Sequence, residues 1–165
     1  MRRPTTMSTA RGTVRSDDPE ATRAIGRALG RAAVPGTVLA LSGELGAGKT
    51  QLAKGVAAGL GVESVVNSPT FVLMNEHVGR LRLFHVDAYR LGDPEEAAAA
   101  GLLDDRGAGG VVVVEWADRL DGWLPAERLD VHIDSVDEEP SSRRLSWTAH
   151  GQDHERLAAA MERGR

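Results

Sequence analysis

One glycine-rich segment carries the clearest chemical pattern in this sequence. Gly43-Glu44-Leu45-Gly46-Ala47-Gly48-Lys49-Thr50 matches the pattern G-x-x-x-x-G-K-[ST] in full. Its glycines allow backbone N–H groups to approach phosphate oxygens, and a helix that follows would direct its positive end at the same oxygens. Lys49 can bridge the outer phosphates, and the Thr50 hydroxyl can bind Mg²⁺. We therefore predict a site for a nucleoside triphosphate and magnesium.

Two carboxylates follow apolar segments that are typical of buried strands. Asp87 comes after Leu83-Phe84-His85-Val86, and Glu115 comes after four consecutive valines. A phosphate-binding loop needs an acidic residue at the end of a neighbouring strand, for the metal or its water. Parallel strands would bring both acids to the crevice beside the loop. A solvated carboxylate at a strand end is the alternative, and we predict a functional role for both.

Four further features allow two interpretations each. The hydroxyls of Ser68 and Thr70 can sense a terminal phosphate or belong to an ordinary turn. Trp116 can act at the site or cover the edge of the sheet. For His85 we favour a structural histidine packed in its strand. Arg143-Arg144 is expected to open a hairpin strand, with contact to the base or phosphates as the alternative.

The elements that must position these residues follow from periodicity and turn chemistry. We predict strands at Gly12–Arg15, Thr37–Leu41, Phe71–His77, Leu81–Asp87, Val111–Val114, Leu129–Asp134 and Arg143–Thr148. We predict helices from Pro19 (capped by Asp18) to about Ala33, from the loop to Gly61, from Asp93 to Gly101 and from Gln152 to Met161. The segments on either side of residues 78–80 should form an antiparallel hairpin. This order predicts an α/β fold with a mixed, mostly parallel sheet.

Composition limits the classes of protein that fit. The 165 residues are 41% hydrophobic and 27% charged, which suits one globular domain, here residues 12–165 after a disordered tail of residues 1–11. The absence of cysteine excludes disulfides and thiolate metal sites. We see no secretory signal and no membrane-length apolar run, and we expect a cytoplasmic protein. A net charge of −4 disfavours a free-standing nucleic-acid binder.

Four spaced elements together resemble a known family. They are Leu45–Thr50, Ser68–Phe71, His85–Leu91 and Glu115-Trp116, which occur in this order. The sequence resembles the TsaE (formerly YjeE) family, the bacterial ATPase subunit of tRNA threonylcarbamoyladenosine biosynthesis, from about residue 17 to 148. The loop alone is shared by many families, whereas the other three elements at these separations are much more specific.

The resemblance implies a P-loop NTPase-like three-layer domain that binds ATP and Mg²⁺. It also implies an ATPase that is weak alone and stimulated by a transferase and its paralogue-like partner subunit. In this family, hydrolysis is thought to reset the complex, which modifies the adenosine beside the anticodon. Contact with tRNA would be indirect, through that complex, and no membrane is involved.

The resemblance also implies roles by position. Lys49 would bind the phosphates, Thr50 and Glu115 the magnesium, and Asp87 the attacking water or the metal shell. Thr70, with Trp116, would lie at the nucleotide-sensitive surface.

Two positions depart from the family pattern. Gln51 replaces a second threonine, so the role of that hydroxyl is open, although the Gln51 backbone N–H can still meet an α-phosphate. Ala117 replaces a proline, which we regard as minor.

Two other functions stay open from the sequence. A small-molecule kinase needs an acceptor pocket and an arginine-bearing lid, and the only lid-like segment is Gly101–Gly110 with Arg106. A GTPase is disfavoured because no Asn-Lys-x-Asp motif occurs. A nucleotide-gated assembly module with incidental hydrolysis is the alternative from a different class.

Overall fold

The computed structural model describes residues 7–44, 46–67, 74–89, 95 and 109–164. The described strands are β1 Thr9–Ser16, β2 Val38–Gly43, β3 Met74–His77, β4 Arg82–Asp87, β5 Gly110–Glu115, β6 Arg128–Val136 and β7 Glu139–His150. The described helices are α1 Pro19–Ala32, α2 Lys49–Gly59 and α3 Gln152–Arg163, and a 3₁₀ turn covers Ala117–Leu120. None of these helices is long and apolar enough to cross a membrane.

The described strands form one sheet in the order β1-β7-β6-β2-β5-β4-β3. The four central strands β6, β2, β5 and β4 run parallel, and the outer pairings are antiparallel. The predicted mixed α/β sheet is confirmed. Because β2 lies between β5 and β6, the loop that leaves its carboxyl end is flanked by the ends of both neighbours.

The two faces of the sheet bury separate apolar clusters. Leu39 and Leu41 of β2 face α1, α2 and α3, while Val38 and Ala40 face the 3₁₀ turn and residues beside it. β2 and β5 are therefore apolar on both faces, as predicted for strands in the centre of a parallel sheet. Among the described residues, the third layer of the domain consists of this 3₁₀ segment.

Most predicted elements are confirmed with changes of at most three residues at their ends, but β7 begins at Glu139, four residues before Arg143, which we expected to open it. Asp18 caps α1 by accepting a hydrogen bond from the Ala21 N–H at 2.7 Å. β1 begins at Thr9, so residues 9–11, which we placed in the tail, pair with the long strand β7. The first part of the predicted strand 71–77 and, apart from Glu95, the predicted helix 93–101 lie outside the described residues. That residues 12–165 form a single domain stays a prediction.

The helix after the loop is held against α1 by backbone-to-backbone packing. Gly26 and Gly30 of α1 face Gly55 and Gly59 of α2, with each pair spaced by four residues and so on one helix face. A Cβ added at Gly30 would lie 2.2 Å from the Val56 carbonyl oxygen. The position of α2 against α1 is therefore set by contacts that leave no room for a methyl group.

Gly30→Ala should lower the free energy of unfolding by about 1–3 kcal/mol, because the added methyl group forces the two helices apart. Urea denaturation followed by circular dichroism measures this loss. The matched control is Gly109→Ala, since no described atom lies within 4 Å of a Cβ built there. Equal stability of the two variants would contradict this account of the helix pair.

Candidate functional site

The loop after β2 adopts a backbone that favours glycine. Gly43, Gly46 and Gly48 have φ values of +141°, +80° and +113°, a region that residues with a Cβ rarely adopt. A Cβ at Gly43 would also lie 2.5 Å from the Ile133 carbonyl oxygen of β6. The glycine-rich loop is thus packed closely on the neighbouring strand at Gly43. Leu45 lies outside the described residues.

Lys49 is the first residue of α2 and is only 4% exposed. Its Nζ donates to the carbonyl oxygens of Gly43 and Glu44 at 2.6 and 2.8 Å. Burial lowers the pKa of Lys49, and nearby carboxylates, Glu115 first among them, act in the opposite direction. The ammonium group therefore sits at the loop, on carbonyl oxygens whose place a phosphate oxygen could take.

The aromatic ring of Trp116 covers this ammonium group. Lys49 Nζ lies 3.9 Å from the ring centre, a cation–π distance. Trp116 has φ of +59°, which is uncommon for a bulky residue. The Tyr89 ring lies 4.8 Å from the Trp116 ring. The turn that follows β5 thus places the Trp116 ring over the lysine, and Tyr89, which follows β4, packs against that ring.

The Glu115 carboxylate joins the loop helix to two strands. The Thr50 hydroxyl donates to Oε1 at 2.8 Å, and His85 Nε2 donates to Oε2 at 2.5 Å. Glu115 is 2% exposed and His85 fully buried. Each carboxylate oxygen therefore has a partner, which is what a buried charge requires.

Asp87 lies beside this group on the adjacent strand. Residues Asp87 and Glu115 are direct partners in the parallel pairing of β4 with β5. Asp87 is half-buried, and its Oδ1 accepts the Tyr89 N–H at 2.9 Å. The structure therefore brings Lys49, Thr50, Asp87 and Glu115 to one edge of the sheet, as the strand-end argument predicted.

The oxygens of Thr50 and Glu115 are spaced as neighbouring ligands of Mg²⁺. Two adjacent ligands of an octahedral ion bound at about 2.1 Å are about 3 Å apart, and the two oxygens lie 2.8 Å apart. No group of three or more His, Cys, Asp or Glu side chains among the described residues could hold a metal alone. Magnesium commonly binds through one or two side chains and substrate phosphates, so the residues present fit that ion.

Two further residues, Gln51 and Thr70, were predicted to bind the nucleotide. The Gln51 side-chain oxygen accepts from Arg23 Nη1 of α1 at 3.1 Å, so this side chain is engaged with α1. Thr70 and its neighbour Ser68 lie outside the described residues.

Three interactions at the site were not predicted from the sequence. We predicted a structural histidine packed in its strand at His85; it is fully buried in β4, and its bond to Glu115 is the unpredicted part. Strand alternation could have found this, because residues two apart share a face and Asp87 is two residues on. Asp118 acts on Lys49 electrostatically from the 3₁₀ turn. Arg143, distant in sequence, donates to the Ala47 carbonyl, and no local pattern signals that contact.

This combination of fold and site defines a class. The sheet has a parallel centre, and a glycine-rich loop connects β2 to α2. A buried lysine and a half-buried threonine begin that helix, and an acid ends β5. Together these features are those of a P-loop NTPase-like domain. A binding site for a nucleotide is consistent with this fold.

Comparison with known proteins agrees with this class and identifies the family within it. Residues 16–145 match the family described as "Threonylcarbamoyl adenosine biosynthesis protein TsaE". A relative named tRNA threonylcarbamoyladenosine biosynthesis protein TsaE, from Bacillus subtilis (strain 168), is 41% identical over 150 residues, which are 90% of this chain and 92% of the relative. A relative of the same name from Mycobacterium leprae is 42% identical over 134 residues, which are 76% and 83% of the two chains.

A solved structure is similar over nearly the whole fold. The crystal structure of YdiB from Bacillus subtilis has a TM-score of 0.77 with this chain at 37% identity, and the match covers 94% of this chain and 97% of YdiB. The chain belongs to the TsaE family of tRNA threonylcarbamoyladenosine biosynthesis. The resemblance seen in the sequence is confirmed.

Glu115→Ala should destabilise the protein by about 1–3 kcal/mol, because it leaves the buried His85 nitrogen without its acceptor. Glu115→Gln should lose less, since an amide oxygen can still accept one hydrogen bond. Urea denaturation in magnesium-free buffer measures both, with the exposed Glu63→Ala as the control. An alanine variant as stable as the parent would show that the hydrogen bonds of the Glu115 carboxylate do not stabilise the protein.

Proposed function

We propose that this chain is a magnesium-dependent ATPase required for the threonylcarbamoyladenosine modification of tRNA at the adenosine beside the anticodon. The observation that supports it most is the Thr50–Glu115 pair at the loop helix, 2.8 Å apart beside the buried Lys49. Family membership supports the role in tRNA modification. The arrangement of Lys49, Thr50 and Glu115 supports ATP hydrolysis with magnesium.

In this proposal the loop residues Gly43–Thr50 and the Gln51 N–H cradle ATP. Lys49 exchanges its bonds to two loop carbonyls for bonds to phosphate oxygens, which keeps the buried ammonium paired. Thr50 and Glu115 hold Mg²⁺, and Asp87 orients the attacking water or completes the metal shell. When bound, the ion neutralises charge that develops on the phosphates.

His85 acts in this scheme as a positioning residue. Its imidazole bonds the Glu115 oxygen that does not face Thr50, and this fixes the rotation of the carboxylate. Partners that orient a ligating carboxylate commonly affect metal affinity. Thr70 is proposed, from the family resemblance alone, to sense the nucleotide.

The proposed partners are a transferase and its paralogue-like partner subunit, acting in the cytoplasm. Hydrolysis would reset that pair between turnovers. The net charge of −4 supports contact with tRNA through the complex, because direct binding of a nucleic acid draws much of its affinity from Lys and Arg that neutralise its backbone phosphates.

The purified chain should hydrolyse ATP slowly with Mg²⁺, and the rate should rise when the partner pair is added. Glu115→Gln should lower the stimulated rate by on the order of 100-fold, because metal-based charge stabilisation is worth several kcal/mol. Release of labelled phosphate from ATP measures this, with Glu63→Gln as the matched control.

Two results would contradict the proposal. The first is a rate of ATP hydrolysis that changes neither when the partner pair is added nor in the Glu115→Gln variant. The second is transfer of the label to a small metabolite instead of water, which would indicate a kinase.

A further inference from the structure

Arg143, near the start of β7, is bonded across to the phosphate-binding loop. Its Nε donates to the Ala47 carbonyl oxygen at 2.9 Å, and its Nη2 lies 3.4 Å from the Gly46 carbonyl oxygen. The third nitrogen, Nη1, donates to the carbonyls of Pro140 and Ser142 at 2.7 and 2.8 Å. One guanidinium group thus ties the loop to its own strand.

This arrangement uses the shape of the arginine side chain. The guanidinium group is planar and presents its N–H donors in a fixed fork, so one edge can bond the loop while another bonds the hairpin. Arg143 is half-buried and Ala47 is 4% exposed, so the contact is partly shielded from water. Hydrogen bonds from a charged donor are roughly twice as strong as neutral ones.

The bond to Ala47 sets the direction of the next N–H group. The peptide unit between Ala47 and Gly48 is planar and trans, so its N–H points away from its C=O. Because Arg143 of β7 bonds the Ala47 carbonyl, the Gly48 N–H points to the side of that peptide opposite to Arg143. The Ala47 N–H is already used in the turn, where it donates to the Glu44 carbonyl at 3.0 Å.

Gly48 is the position at which this support matters most. Its φ of +113° lies in a region that glycine enters and leaves easily, so the peptide before it has little intrinsic preference for one direction. A donor fixed before the ligand arrives saves the ordering cost that binding would otherwise include. Arg143 supplies that order from a strand that is 96 residues away in the chain.

We propose that Arg143 is a positioning residue for the triphosphate. It holds the Ala47–Gly48 peptide so that the Gly48 N–H faces the phosphates, and it reaches the nucleotide only through that peptide. The inference rests on the proposed ATPase function and adds to it a residue of the β6–β7 hairpin.

Arg143→Gln should weaken ATP binding by about tenfold, measured by calorimetric titration of the full-length chain with Mg²⁺. Arg143→Lys should stay impaired, because an ammonium group keeps the charge but cannot form the fork. Arg144→Gln is the matched control, since it removes the same charge from the next, exposed position. Recovery of full affinity by lysine would show that only charge matters and would overturn the inference.

A spectroscopic measurement separates positioning from general stability. In the nucleotide-free chain, NMR signals of the Ala47 carbonyl carbon and the Gly48 amide nitrogen should move in both Arg143 variants and stay in place in Arg144→Gln. Unmoved signals, or parent-like ATP affinity in Arg143→Gln, would overturn the inference. Failure of the parent and Arg144→Gln alike to bind ATP would instead contradict the proposed function.

Discussion

The buried carboxylate of Glu115 is the interaction on which the site depends. A carboxylate that is 2% exposed would be costly without partners. It is kept by the Thr50 hydroxyl on one oxygen and the His85 imidazole on the other. These bonds join α2, β5 and β4 at one point, so the start of the loop helix is linked to the sheet through the Glu115 side chain.

The rest of the architecture positions the residues of this hydrogen-bonded group. β2 lies between β5 and β6, so the loop leaves the sheet directly beside the end of β5. Facing glycines at positions 26, 30, 55 and 59 let α1 and α2 touch along their backbones. Immediately after Glu115, the left-handed backbone at Trp116 turns its ring over Lys49. Arg143 secures the outer side of the loop from β7.

Short-range patterns in the sequence predicted much of the fold and of the candidate site. The glycine-rich motif, the two strand-end acids and the apolar runs of β2 and β5 each reflect chemistry or periodicity within a few residues. His85 was accessible to the same reasoning, since alternation places it on the face of Asp87. We favoured a structural role for His85 because buried histidines usually have that role.

Contacts between distant segments could not be predicted in this way. Nothing near Arg143 in the sequence identifies the Ala47 carbonyl as its acceptor. The glycines of α1 lower helix propensity on their own, and their benefit exists only once α2 packs against them. The start of β1 at Thr9 likewise depends on the length of β7, which pairs with it as far as His150.

The proposed pathway role is tested most directly by the modified nucleoside itself. The measurement is the threonylcarbamoyladenosine content of tRNA, by mass spectrometry, in bacterial cells depleted of their own TsaE and supplied with this chain. The parent should restore the modification, and Lys49→Met, which keeps the apolar stem but loses the charge, should not. Restoration by both would contradict the claim that nucleotide chemistry at this loop supports tRNA modification, and restoration by neither would contradict the pathway assignment.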